Sequence, residues 1–143
     1  MIAEILVCAA LITAPACVAN SEAAKDWKGY KPSLYTGQHY DSKWAGVRKC
    51  IQHRESRFNY RARSSISTAS GAYQFLDSKW RISLTHMMIQ ESRATRDGLI
   101  EEIKALRSKP IDKWNRYYQD RAFFTAWDNG RGADHWNQTR HGC

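Results

Sequence analysis

The chain has 143 residues, enough for one domain with its own core and too few for two. Twenty-two Lys and Arg against 14 Asp and Glu give a formal net charge of +8, which favours polyanionic partners, either nucleic acid or an anionic cell wall. The basic residues are scattered, with no run of five and no nucleic-acid-binding module, so nucleic acid is not the expected partner. Aromatic residues make up 12% of the chain, with six Trp and seven Tyr, which suits an aromatic core or a groove that meets flat rings.

Ile5 to Val18 is an apolar run of 14 residues, short for a bilayer span and of signal-peptide length. Ala14-Pro15-Ala16 and the poorer Cys17-Val18-Ala19 offer small-residue cleavage sites. Residues 1–19 are therefore expected to be a signal peptide, although the segment lacks Lys and Arg before the run and carries Glu4. The mature form is expected to be monomeric and exported, with no stable membrane span. Of the four cysteines, Cys8 and Cys17 fall in this leader, which leaves Cys50 and Cys143 for the folded body. Far apart in sequence in an exported chain, they point to one disulfide tying the tail to an early helix, against the alternative of two separate thiols. Their spacing with His53, His86, His135 and His141 matches no metal site, and neither a metal nor a cofactor is expected.

Residues 20–40 carry Gly29, Pro32 and Gly37 with little periodicity and read as an extended arm wrapping the domain through Trp27, Tyr30 and Tyr35. Residues 41–143 form the domain. Asp41-Ser42 can open a helix in which Trp44, Val47, Ile51 and Glu55 recur at spacings of three, four and four, so that all share one face. Glu55 thus falls on the stripe expected to be buried. A carboxyl group against apolar neighbours loses hydration when it ionises, so its pKa rises toward that of a general acid. The bland alternative is a carboxylate paired with Arg54, Arg57 or Arg61.

The next twenty residues bear on that choice. Glu55-Ser56-x-Phe58-Asn59-x-x-Ala62-x-Ser64, then Ala69-x-Gly71-x-x-Gln74, resembles the E-S-x-F-N-x-x-A-x-S…A-x-G-x-x-Q signature of lytic transglycosylases. Gly71-Ala72-Tyr73-Gln74-Phe75 with Trp80 is closer still to the small transglycosylase-like domains of actinobacteria and their phages, related to resuscitation-promoting factors. Those domains likewise have a Cys on the motif helix and close on a W…C, echoed here by Trp136 and Cys143. The resemblance is strong over residues 44–80 and loose over the last twenty.

It implies a mostly α, lysozyme-like (α+β) fold with at most a short β-hairpin or irregular segment around residues 60–75. It also implies cleavage of the β-1,4 bond between N-acetylmuramic acid and N-acetylglucosamine in peptidoglycan glycan strands, at an anionic cell wall. Glu55 would be the catalytic residue, acting first as acid and then as base, so that a 1,6-anhydro ring replaces attack by water. Ser56 would orient the site, Gln74 would meet acetamido groups, and Tyr73 would stack on a ring or offer its hydroxyl. Gly71 would keep a tight backbone position clear. Trp80 completes the substrate-binding candidates, although its helix stripe also fits the core. Ala72-Tyr73 replaces the family's usual Leu-Met-like pair, which leaves the role of Tyr73 open.

Further helices are expected from Asp77-Ser78 as a cap, with Trp80, Leu84, Met87 and Met88 as a stripe; from Ala94 to Arg107; and from Asp112 to the turn at Asp128-Asn129-Gly130. Tyr117 and Tyr118 on the last of these fit core or groove equally. The closing stretch reads as a coil held by the disulfide, with Asn137-Gln138-Thr139 a sequon by pattern. A hydrolytic muramidase needs a second carboxylate, for which Asp77, Asp128 and Asp134 are the candidates. A non-catalytic wall-binding or virion module of the same shape is the other alternative.

Overall fold

Asp41 accepts a side-chain hydrogen bond from Lys43 N, and a 3-10 turn over Ser42–Trp44 runs into helix α3, Ala45–Ser56. These elements come from a computed structural model that describes residues 14–136 and 143; residues 1–13 of the expected leader, His141 and the Asn137 sequon lie outside it. Preceding α3 are two short helices, α1 (Ala14–Ala19) and α2 (Glu22–Lys25), and the arm. Following it are strands β1 (Ala69–Ser70) and β2 (Phe75–Leu76), then α4 (Asp77–Thr95), α5 (Ile100–Leu106) and α6 (Arg116–Trp127). The architecture is mostly helical with one two-stranded antiparallel sheet, Ala69 facing Leu76 and Ser70 facing Phe75.

Helix α6 is the centre. All of its residues from Arg116 to Trp127 are buried, the polar ones included, because the other elements surround it and supply hydrogen bonds. Its N-cap is Asn115, whose side chain accepts from Tyr118 N and whose Nδ2 donates to Ala19 O of α1. Phe123 is the aromatic hub, stacked on Tyr73 at 4.8 Å and on Trp127 at 5.8 Å, with Trp136 at 5.3 Å. Tyr117 and Tyr118 are core, not groove.

The arm opens with helix α2 and then runs against the domain. Tyr60 N donates to Trp27 O, Gly29 N donates to Phe58 O, and Leu34 N donates to Asp120 Oδ2. Tyr35 is fully enclosed, its hydroxyl on the Glu91 carboxylate. Glu91 in turn faces Arg121, which Asp97 also holds at 3.0 Å. Cys50 and Cys143 are joined by a disulfide. Cys17, placed outside the folded body by its position in the apolar run, is disulfide-bonded too, and α1 around it packs with Ala19 buried.

The helix expected from Asp112 begins at Arg116, after a 3-10 turn over Ile111–Lys113, and two further expectations are corrected. Helix α4 runs on to Thr95 and stops where Arg96 turns left-handed ahead of Asp97 and Gly98, so the next helix begins at Ile100 and not at Ala94. Asp77 does not cap α4. Its carboxylate accepts from Ile111 N at 2.8 Å and pairs with Arg81, while Thr68 Oγ1 receives the Ser78 N–H. Among the described residues no helix is long and apolar enough to cross a membrane.

Candidate active site

Helix α3 delivers Glu55 in its last turn, half-buried. The buried face of α3 is rotated from the expected one: Arg48, Ile51 and Gln52 are sealed, whereas Trp44, Val47 and Glu55 are only partly covered. Trp44 lies edge-on to Trp127 at 5.2 Å and donates from Nε1 to Asn129 Oδ1, which keeps it at the rim of the core.

The helix ends abruptly. Arg57 and Phe58 are both left-handed, at φ 52° and 62°, and turn the chain directly behind Ser56. Left-handed conformers are ordinary at a helix C-terminus and for Asp or Asn, which accounts for Arg57, Arg96, Asp128 and Asn129. Phe58 and Gln74, the latter at φ 53°, have no such excuse, and both fall inside the motif. Local strain of this kind collects where surrounding structure holds a site in place.

Ser56 makes the connection that gathers the motif. Its hydroxyl lies 2.7 Å from Ala72 O and 3.1 Å from Gln52 O, and accepts from Asn59 N at 3.2 Å. The end of α3 is thereby fastened to the turn between β1 and β2. That turn spans residues 71–74: Gln74 N donates to Gly71 O, and the Gln74 side-chain amide donates to the same carbonyl at 3.0 Å. Gln74 therefore spends a donor on closing its own turn, and it remains half-buried at the surface of the site.

Gly71 sits at φ +85°, and a Cβ there would lie 2.5 Å from Gln119 Oε1. The obstruction comes from the core, since Gln119 Oε1 accepts the Ala72 N–H while Nε2 reaches Tyr60 O and Ile111 O. Gln119 thus props the turn from behind, a role that nothing in the sequence marks.

Tyr73 differs from expectation. It is fully buried, so it offers no face to a ligand. Its hydroxyl donates to Asp120 Oδ1 at 2.7 Å and accepts from Arg48 Nη1 at 2.9 Å, and Tyr60 donates to the same Asp120 oxygen at 2.5 Å. Burial pushes the Asp120 carboxyl above its ordinary range, opposed by Arg48 and the two phenols, and burial raises both phenols as well. Arg48 also donates to Lys31 O, so this enclosed cluster joins α3, the turn, the arm and α6. Tyr73 is thus a core polar anchor and not a ring for sugar. Trp80, half-buried on α4, lies edge-on to His135 at 4.4 Å with Lys79 over its ring, contacts outside the 55–74 block.

The candidate second carboxylates are largely occupied. Asp77 is held by Ile111 and Arg81, and Asp128 by a two-point contact with Arg131 that lowers its pKa. Asp134 is exposed near the C-terminal 3-10 turn. Asp120, absent from the sequence-derived candidates, is sealed in the core. Arg48, Gln52 and Glu55 do share a stripe with Ile51 at i, i+3, i+4 and i+7, a periodic signal that an apolar pattern passes over because its members are polar. Gln52 is fully buried, with its amide unpartnered among the described residues. Among those residues no group of three metal-ligating side chains occurs. Set against family models, curated proteins and solved structures, the chain matches none.

Proposed function

We propose that the protein is a peptidoglycan lytic transglycosylase of lysozyme-like fold, with Glu55 as its one catalytic carboxyl group. The observation that carries the reading is the Ser56 bridge to Ala72 O, which brings the glutamate-bearing end of α3 against the strained 71–74 turn. Ser56 thus ties the helix end next to Glu55 to the turn that carries Gly71 and Gln74, which supports reading this joint as the place where a glycan strand binds.

In this mechanism the Glu55 carboxyl gives its proton to the bridging glycosidic oxygen as the C1–O bond breaks, releasing the N-acetylglucosamine end. The resulting Glu55 carboxylate takes the proton of the muramoyl 6-hydroxyl, whose oxygen closes on C1 to form the 1,6-anhydro ring. Glu55 ends as it began. Glu55 is half-buried, so its carboxyl group keeps some access to solvent and ligand. The engagement of Asp77 and Asp128 by cations supports one carboxylate over the pair a muramidase uses. The disulfide and the basic charge suit an exported protein acting at an anionic wall.

Digestion of purified peptidoglycan tests the proposal. The wild type is expected to release 1,6-anhydromuramoyl ends, and Glu55→Gln to lose at least about a hundredfold in rate, in the range of a lost general acid, with binding retained. Free reducing muramic acid ends would make the protein a hydrolase. Equal clearing by Glu55→Gln would remove Glu55 from catalysis altogether.

A further inference from the structure

Away from Glu55 the structure holds a concavity of about 400 Å³, between the end of α2, the chain after the motif helix, and the start of α6. Lys25, Arg61, Lys113 and Arg116 line it, against one acidic residue, Asp112. Lys25, Arg61 and Lys113 are exposed, and Arg61 lies over the Trp27 ring at 5.0 Å. Arg116 forms part of its wall, 1% exposed and stacked over Tyr60 at 4.5 Å.

The hydrogen-bond capacity here is incompletely used. Arg116 Nη2 donates to Lys28 O and Gly29 O, but Nε and Nη1 find no partner among the described residues. Asp112 Oδ1, on a residue 4% exposed, is likewise an acceptor without a donor. Buried polar groups are nearly always satisfied, so orphan donors and an orphan acceptor bordering one concavity point to a missing occupant. A cationic lining selects an anion. The acceptor beside it selects an N–H or ammonium on the same molecule, and disfavours a phosphate, whose higher charge would meet Asp112 with nothing to offer it.

We propose that this concavity binds the charged end of a short peptide, its carboxylate toward Arg61, Lys113 and Arg116 and its amine or amide N–H toward Asp112, with Trp27 covering the aliphatic part. Given the transglycosylase reading, on which the identity of the ligand rests, the peptide is the acidic stem that branches from the wall glycan. The concavity then selects glycan that carries stems over bare glycan, from a site built on the segment just after Glu55.

Calorimetry and Trp fluorescence on full-length Glu55→Gln protein test this without turnover. The probes are a synthetic L-alanyl-γ-D-glutamyl peptide with free ends, its C-terminally amidated and N-acetylated forms, a peptide-free glycan oligosaccharide, and inorganic phosphate. The free peptide is expected to bind. Arg61→Gln with Lys113→Gln, both at exposed positions, should weaken it about tenfold or more, the scale of a lost charge-assisted contact, with circular dichroism melts showing the fold intact. Asp112→Asn should weaken both the free-amine peptide and the N-acetylated one, because the acetylated form keeps the amide N–H that a glycan-linked stem would present to Asp112. No peptide binding, equal binding of the amidated form, indifference to the Arg61/Lys113 pair, or displacement by equimolar phosphate would each overturn the site. Peptide binding in a protein that fails to cleave glycan would overturn the catalytic reading alone, and 1,6-anhydro products without peptide binding would overturn this one alone.

Discussion

Gly71 is the residue at which backbone and packing constraints coincide. At φ +85° an L side chain is strained, and its Cβ would meet Gln119 Oε1, the atom that accepts the Ala72 N–H. Gly71→Ala is therefore expected to cost about 1–3 kcal/mol in urea unfolding, the usual range for a residue forced into a sparsely populated conformation. Substitution of Gly46, where a Cβ would meet nothing within 4 Å, is the matched control. A tight backbone position at Gly71 was legible through the motif it shares with Gln74, whereas its left-handed conformation and the Gln119 behind it were not. Tyr73 was not. Its partners Arg48 and Asp120 are 25 and 47 residues away, and no local pattern says that a phenol will turn inward to serve them.

At the scale of elements, the joint between α3 and the β1–β2 turn rests on one hydroxyl. Ser56→Ala removes the hydrogen bond to Ala72 O and one of the two acceptors of Asn59 N, the Ser56 carbonyl remaining, and is expected to cost about 1 kcal/mol. Amide exchange at Asn59 should speed up, and glycan cleavage should fall by more than the loss of stability explains; unchanged exchange at Asn59 would separate Ser56 from the joint. Helix α3 was legible from its opening at Asp41-Ser42 and its periodic Ile51 and Glu55. Its true inner face was not, since two of the three sealed residues, Arg48 and Gln52, are polar types that a hydrophobic stripe leaves out. The same limit hid the centrality of α6. Arg116, Gln119, Asp120 and Arg121 are polar types that no apolar stripe marks, yet all four are buried against groups from distant segments.

For the molecule as a whole, the Cys50–Cys143 disulfide closes a separation of 93 residues. In the chain-entropy account a loop of that length stabilises by about 4–5 kcal/mol, so Cys50→Ser with Cys143→Ser should lower the urea midpoint accordingly while leaving the helical circular dichroism spectrum in place. A change below about 1 kcal/mol would mean that the tail is held by other contacts. The bond was legible by cysteine counting; the depth to which the arm is built into the domain was legible only as a wrapping aromatic segment.

That arm also governs when the molecule can form. Leu34 N waits for Asp120, Arg116 for the carbonyls of Lys28 and Gly29, and Ala19 O for Asn115, pairings 86 to 96 residues apart. The ribosome adds only about 5–20 residues per second, so the arm goes without these partners until most of the chain has emerged. Such a topology cannot fold domain-first during synthesis. High contact order slows the closure of these long loops, so the arm locks around the central helix only once residues 115–120 are in place.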